Sequence, residues 1–105
     1  MSDVYLYILQ ALAHKTRLEI IDLLKKKGEM SVLEIAEKLS LEQTRLSHAL
    51  KCLRNCGLVE SKVNGKFRLY SLNKKFTEKI FNLLDEHLKE YREQILSCNI
   101  IKNEK

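Results

Sequence analysis

The sequence predicts a mainly α-helical domain carrying one small β-hairpin: about five helices and a two-stranded antiparallel ribbon. Three observations predict it. Apolar residues recur at helical spacing through four successive segments up to Asn55. After Gly57 the pattern turns to strand-like runs on either side of an Asn64-Gly65 pair, and a long helical stretch then runs almost to the end. Proline is absent, and the three glycines, Gly28, Gly57 and Gly65, each fall where one element should stop and the next begin.

With 105 residues, 45% hydrophobic and 31% charged, the chain has the composition of one globular domain. That domain is expected over residues 1–98, with a polar, frayed tail at 99–105. The longest apolar run, Val4 to Leu9, falls far short of the roughly 20 residues that cross a bilayer. The first residues lack the basic-then-apolar form of a signal peptide, so a cytoplasmic protein with no membrane contact is expected. Three cysteines without framework spacing argue for reduced thiols rather than a disulfide scaffold.

Residues 3–13 read as a helix that is apolar on nearly every side and therefore needs more than one neighbour to cover it. A second helix, Lys15 to Lys27, buries Leu18, Ile20, Ile21, Leu23 and Leu24, and ends at Gly28. Its last-turn lysines, Lys25 to Lys27, suit the helix dipole. Ser31 and Glu34 have the spacing of a capping box ahead of a third helix carrying Val32, Ile35, Ala36 and Leu39. Ser40-Leu41 breaks that helix, and a fourth follows at once, from about Glu42 to Asn55, with Leu46, Ala49, Leu50 and Leu53 as its buried stripe. Opposite that stripe, Thr44, Ser47, His48 and Lys51 form a polar face. The runs Leu58–Val63 and Lys66–Leu72 make the hairpin, with Asn64-Gly65 as a type I′ turn. About Lys75 to Ser97 is a long helix with Ile80, Phe81, Leu84, Leu88, Tyr91 and Ile95 on one side, widened by Leu83, His87 and Leu96. That width suits a helix packed both on its own domain and on a partner.

This order of elements is a winged helix-turn-helix. The charge agrees with a nucleic-acid partner. Between Gln43 and Lys75 eight basic residues face a single acid, Glu60, which is more positive charge than the +5 of the whole chain. A fourth helix lying in the major groove would let Gln43 and Arg45 read base edges, with Thr44, Ser47, His48 and Lys51 on bases or phosphates. Lys62, Lys66 and Arg68 at the hairpin tip would follow the backbone.

At Ala11-Leu12-Ala13-His14-Lys15-Thr16-Arg17-Leu18, at Leu46-Ser47-His48-Ala49-Leu50-Lys51-Cys52-Leu53-Arg54 and at Gly57-Leu58-Val59, the chain resembles the ArsR/SmtB family of transcriptional repressors, over about Leu6 to Arg92. The resemblance implies a homodimer paired through its first and last helices and a double-stranded, inverted-repeat operator. It also implies DNA-reading roles for Gln43, Thr44, Ser47 and His48. Two of the family's sensor sites do not carry over. Its Cys-x-Cys pair falls on Ser31-Val32-Leu33, which has no thiol. Of its zinc site only His87 and Glu90 match, the remaining positions being Lys74 and Phe76, so no metal or cofactor is assigned. The bland reading of His87 is a partly buried packing residue. Cys52 and Cys56, four apart, read first as small buried hydrophobes. With Cys98 they alternatively suggest a thiol redox switch or a soft-metal site outside the family's pattern. His14 reads as structural. A winged helix used only for protein contacts is the competing function, and one-sided basic charge argues against it. No catalytic motif stands out, so no enzyme is expected.

Overall fold

The computed structural model describes residues 2–104. His14, held extended at φ −145°, separates α1 (Ser2–Leu12) from α2 (Lys15–Lys27) and gives no side-chain cap. Arg17 fastens this corner instead. Its Nε donates to the Ala11 carbonyl at 2.6 Å and its Nη2 to that of Gln10 at 3.0 Å, supplying donors that carbonyls at a helix end otherwise lack. α2 stops at Gly28, whose φ of 80° a side chain resists.

Two residues, Met30–Ser31, then form a short strand, β1. Ser31 also caps α3 (Val32–Leu39). Its hydroxyl accepts from the Glu34 amide at 3.2 Å while the Glu34 carboxylate accepts from the Ser31 amide at 2.9 Å, completing the predicted capping box. The break before α4 (Gln43–Asn55) is made by Ser40 in the left-handed region, φ 53°. All four residues of the predicted stripe on α4, Leu46, Ala49, Leu50 and Leu53, are buried. They meet Ile20, Ile21 and Leu24 of α2, Ile35 of α3 and Leu58 in one core.

The ribbon comprises β2 (Val59–Asn64) and β3 (Phe67–Leu72), antiparallel, and differs from expectation in two ways. β1 adds to β3, pairing Met30 with Tyr70 and Ser31 with Leu69, so the sheet has three strands in the order β1-β3-β2 rather than two. A two-residue strand is too short to show any period of its own. The turn also lies one residue later than Asn64-Gly65. Asn64 pairs with Phe67, leaving Gly65 and Lys66 at the bend, and only Gly65 has positive φ, 63°. Positive φ at the first turn position alone is the type II′ pattern, not I′.

After the ribbon, Asn73 and Thr77 lock α5 (Thr77–Leu96) onto the domain. The Asn73 side chain donates to the Gly57 carbonyl at 2.8 Å and accepts from the amides of Lys75 and Phe76. The fully buried Thr77 hydroxyl donates to the Leu58 carbonyl at 2.7 Å. Thr77→Val, which keeps the shape and removes the donor, should lower stability by about 1 kcal/mol in a denaturant titration. Where a frayed tail is expected, the chain makes one further short helix, α6 (Asn99–Lys102).

The domain is long for its size, 47 × 29 × 28 Å with a radius of gyration of 15.0 Å, against about 13 Å for a compact chain of this length. α1 and α5 cause this. Val4, Tyr5, Leu6, Tyr7 and Leu9 on α1, and Leu83, Leu84, Tyr91, Ile95 and Leu96 on α5, remain exposed in the single protomer. The cover that an all-round apolar α1 requires is thus only partly supplied by its own chain.

Candidate nucleic-acid interface

Burial of Leu46, Ala49, Leu50 and Leu53 sets the rotation of α4. With 100° per residue, the side pointing away from the core is centred on Thr44 and Lys51, flanked by His48, and all three are exposed. Gln43 and Ser47, also exposed, lie toward one edge of this face and Arg45 toward the other. Arg45, expected to read a base edge, makes a contact within the protomer. It is turned toward α2, where its Nη2 donates to the Thr16 hydroxyl at 3.3 Å. The sequence offered no sign of this, because Thr16 lies 29 residues away on another helix.

The three hairpin cations do not form one patch at the tip. In the register, Lys62 stands opposite Leu69 and Arg68 opposite Val63, so the two project from opposite faces of the ribbon. Lys62 sits in mid-strand, 3.3 Å from the Glu29 carboxylate, which partly neutralises it. Arg68 Nη1 donates to the Ser61 hydroxyl at 3.2 Å. Lys66 alone occupies the turn, and no carboxylate pairs with it among the described residues. Lys25, expected only to suit the helix end, bridges α2 to α5 through Asp85 at 2.9 Å.

The other singled-out residues also find definite places. Ser31 is committed to the cap of α3, where a thiol ligand would stand in a Cys-x-Cys pair. His87 is exposed rather than partly buried. Its ring stacks on Tyr91 with centroids 4.7 Å apart and planes 23° from parallel. Cys52 is half-buried and packs against the core, whereas Cys56, at the end of α4, is exposed, so the reading as a small buried hydrophobe is corrected for Cys56. The Cys56 thiol is pushed above its ordinary pKa. Desolvation is the largest cause even though the residue as a whole is exposed. Charge on Cys52 and a hydrogen bond with it add to the shift, and Arg17 opposes it. The Cys56 amide donates to the Cys52 carbonyl at 3.0 Å, which puts the two side chains one helical turn apart on the same side of α4.

The sequence pattern of the bacterial regulatory protein, arsR family, matches residues 14–61, which take in α2, α3, α4 and the start of β2. Over 78 residues, 74% of its length, the chain is 41% identical to the HTH-type transcriptional regulator NmtR of Mycobacterium tuberculosis, and it spans 62% of that protein. It is 38% identical, again over 74% of its length, to an arsenical resistance operon repressor of Staphylococcus xylosus, of which it covers 74%. Among solved structures it is similar to the homodimeric winged helix-turn-helix DNA-binding domain of a Mycobacterium bovis protein. There the TM-score is 0.78 at 32% identity, covering 88% of this chain and 84% of that one.

Proposed function

The chain belongs to the ArsR family of bacterial regulatory proteins, and from that premise we propose that it is a homodimeric, sequence-specific DNA-binding repressor of transcription that reads its operator with α4. The observation that carries this is the outer face of α4: Thr44, Ser47, His48 and Lys51 exposed above a fully packed stripe, beside a ribbon with Lys66 at its tip. Two copies related by a twofold axis would set two such helices in successive major grooves, so an inverted repeat with half-sites about one helical turn apart is the matching operator.

Selection of preferred sites from random duplex DNA tests this directly, and enrichment of an inverted repeat is the expected result. With that operator, Gln43→Ala and His48→Ala should each lose about 1–3 kcal/mol of discrimination against mismatched sites. Lys66→Ala should weaken operator and random duplex alike and lower the salt slope by about one. Gln43→Ala protein that still prefers the operator as wild type does would show the reading face to be misplaced.

For the signal that releases DNA, the neighbouring sulfurs of Cys52 and Cys56 support a soft, thiophilic ion. The name of the Staphylococcus xylosus repressor, which refers to arsenical resistance, points to the same chemistry. Among the described residues no three His, Cys, Asp or Glu side chains converge. The candidate ligands in one protomer are therefore the sulfurs of Cys52 and Cys56. The ion must displace a proton that Cys56 holds above its ordinary pKa, so binding should tighten as pH rises toward and through the thiol range. Titration with cadmium ion or arsenite at several pH values, following thiolate-to-ion absorbance and operator release together, is the measurement. Both signals should vanish in Cys52→Ser and Cys56→Ser. Release by mild oxidant but not by either ion would favour a disulfide instead.

A further inference from the structure

An open cleft of about 410 Å³ lies between the α1–α2 corner and the flank of α4. His14, Thr16 and Arg17 form one wall, and Thr44, Arg45 and His48 the other. No carboxylate lines it, and no carboxylate pairs with Arg17 or Arg45 among the described residues. Arg17 spends Nε and Nη2 on the end of α1, but its charge stays at the wall. Arg45, which lines the cleft, engages Thr16 through one Nη2 contact at 3.3 Å, only one of the five donors of its guanidinium. His14 and His48 add imidazole donors from the two sides. Two fixed positive charges and two histidines around a water-accessible space, with no counter-charge, are the chemistry of an anion site.

Its position identifies the anion. A helix with its side chains is about 10–12 Å across and the major groove about 12 Å wide, so a helix lying in the groove presses its flanks toward the phosphate walls. Arg45 stands about 100° from Thr44, the centre of the outward face, and is therefore a flank residue. We propose that this cleft clamps one backbone phosphate of the operator in each half-site, and that Arg45, with His14 on the opposite wall, positions the protein on the duplex rather than reading a base. This rests on the reading of α4 as the DNA-binding helix.

The experiment compares Arg45→Gln, Arg45→Lys and His14→Glu with wild type on operator and on random duplex over a salt series, with melting curves to confirm folding. Arg45→Gln should weaken binding to both duplexes by the same factor, roughly three- to tenfold, and take about one from the salt slope. Arg45→Lys should restore most of the loss, since a phosphate accepts any cation, whereas a bidentate base contact needs the guanidinium. His14→Glu, which puts a carboxylate into the cleft, should weaken both by roughly tenfold or more. A neutral methylphosphonate at one phosphate per half-site should cost wild type what Arg45→Gln costs, and cost that variant nothing further. Loss of affinity for the operator alone would make Arg45 a base reader and overturn the proposal. So would folded Arg45→Gln or His14→Glu protein that binds as wild type does. If wild-type protein prefers no sequence at all, the repressor reading fails, while the salt slopes on random duplex still decide the role of Arg45.

Discussion

Leu84→Glu protein is expected to run as a monomer in sedimentation or light scattering, to keep its helical circular dichroism, and to lose operator affinity by at least two orders of magnitude. Leu84 is 42% exposed in the single protomer, on the same helix as the exposed Leu83, Tyr91, Ile95 and Leu96, and α1 presents five more large exposed apolar side chains. Burying one leucine is worth about 1.5–3 kcal/mol, and a carboxylate in its place must be desolvated as well, so one substitution should shift the dimer equilibrium heavily. A dimer engages two half-sites, the second at high effective concentration, and losing that linkage typically costs about 10²–10⁴ in affinity. The fold should survive because the hydrophobic core, from Ala11 to Leu72, does not include Leu84. A variant that stays dimeric and binds normally would place the interface elsewhere.

The second large effect is expected from Leu46→Ala. Leu46 is fully buried beneath α4, in the core that joins α2, α3 and the ribbon. Truncating such a leucine costs about 2–5 kcal/mol, the lost transfer energy plus a cavity that rigid helices cannot close. For a domain near this size that corresponds to a melting temperature lower by about 10–20 °C, read at fixed protein concentration because dimerisation contributes to stability. Operator binding at low temperature should persist at reduced affinity, since Leu46 supports the reading face without belonging to it. A shift of only one or two degrees would mean that the core under α4 closes over the gap.

The contrast between Leu46 and Arg45 shows what could be read from the chain alone. Leu46, Ala49, Leu50 and Leu53 repeat at a period that only a one-sided helix satisfies, so the rotation of α4, and with it the outward placement of Thr44, Ser47, His48 and Lys51, is legible in the sequence. The capping box at Ser31 and Glu34 and the glycine stop at Gly28 were legible for the same reason, because each is satisfied by residues within a few positions of itself. The family likeness at Ala11 to Leu18 and at Leu46 to Arg54 supplied the dimer and the operator, which no local pattern contains.

What the tertiary structure decided is everything set by residues far apart in the chain. The two-residue β1 exists only because β3 runs past it, 38 and 40 residues later by the Ser31–Leu69 and Met30–Tyr70 pairings. The one-residue displacement of the turn was set by the pairing of β2 with β3, which left Lys66 alone at the tip. Arg45 turns back to Thr16, and His14 and Arg17 join α4 around one cleft, because packing of Ile20, Ile21 and Leu24 against α4 brings the start of α2 alongside it. Local periodicity encodes which face of a helix is buried. Which residues that burial then brings together is settled only when the helices pack, as Arg17 and Arg45 are brought to one cleft between α2 and α4.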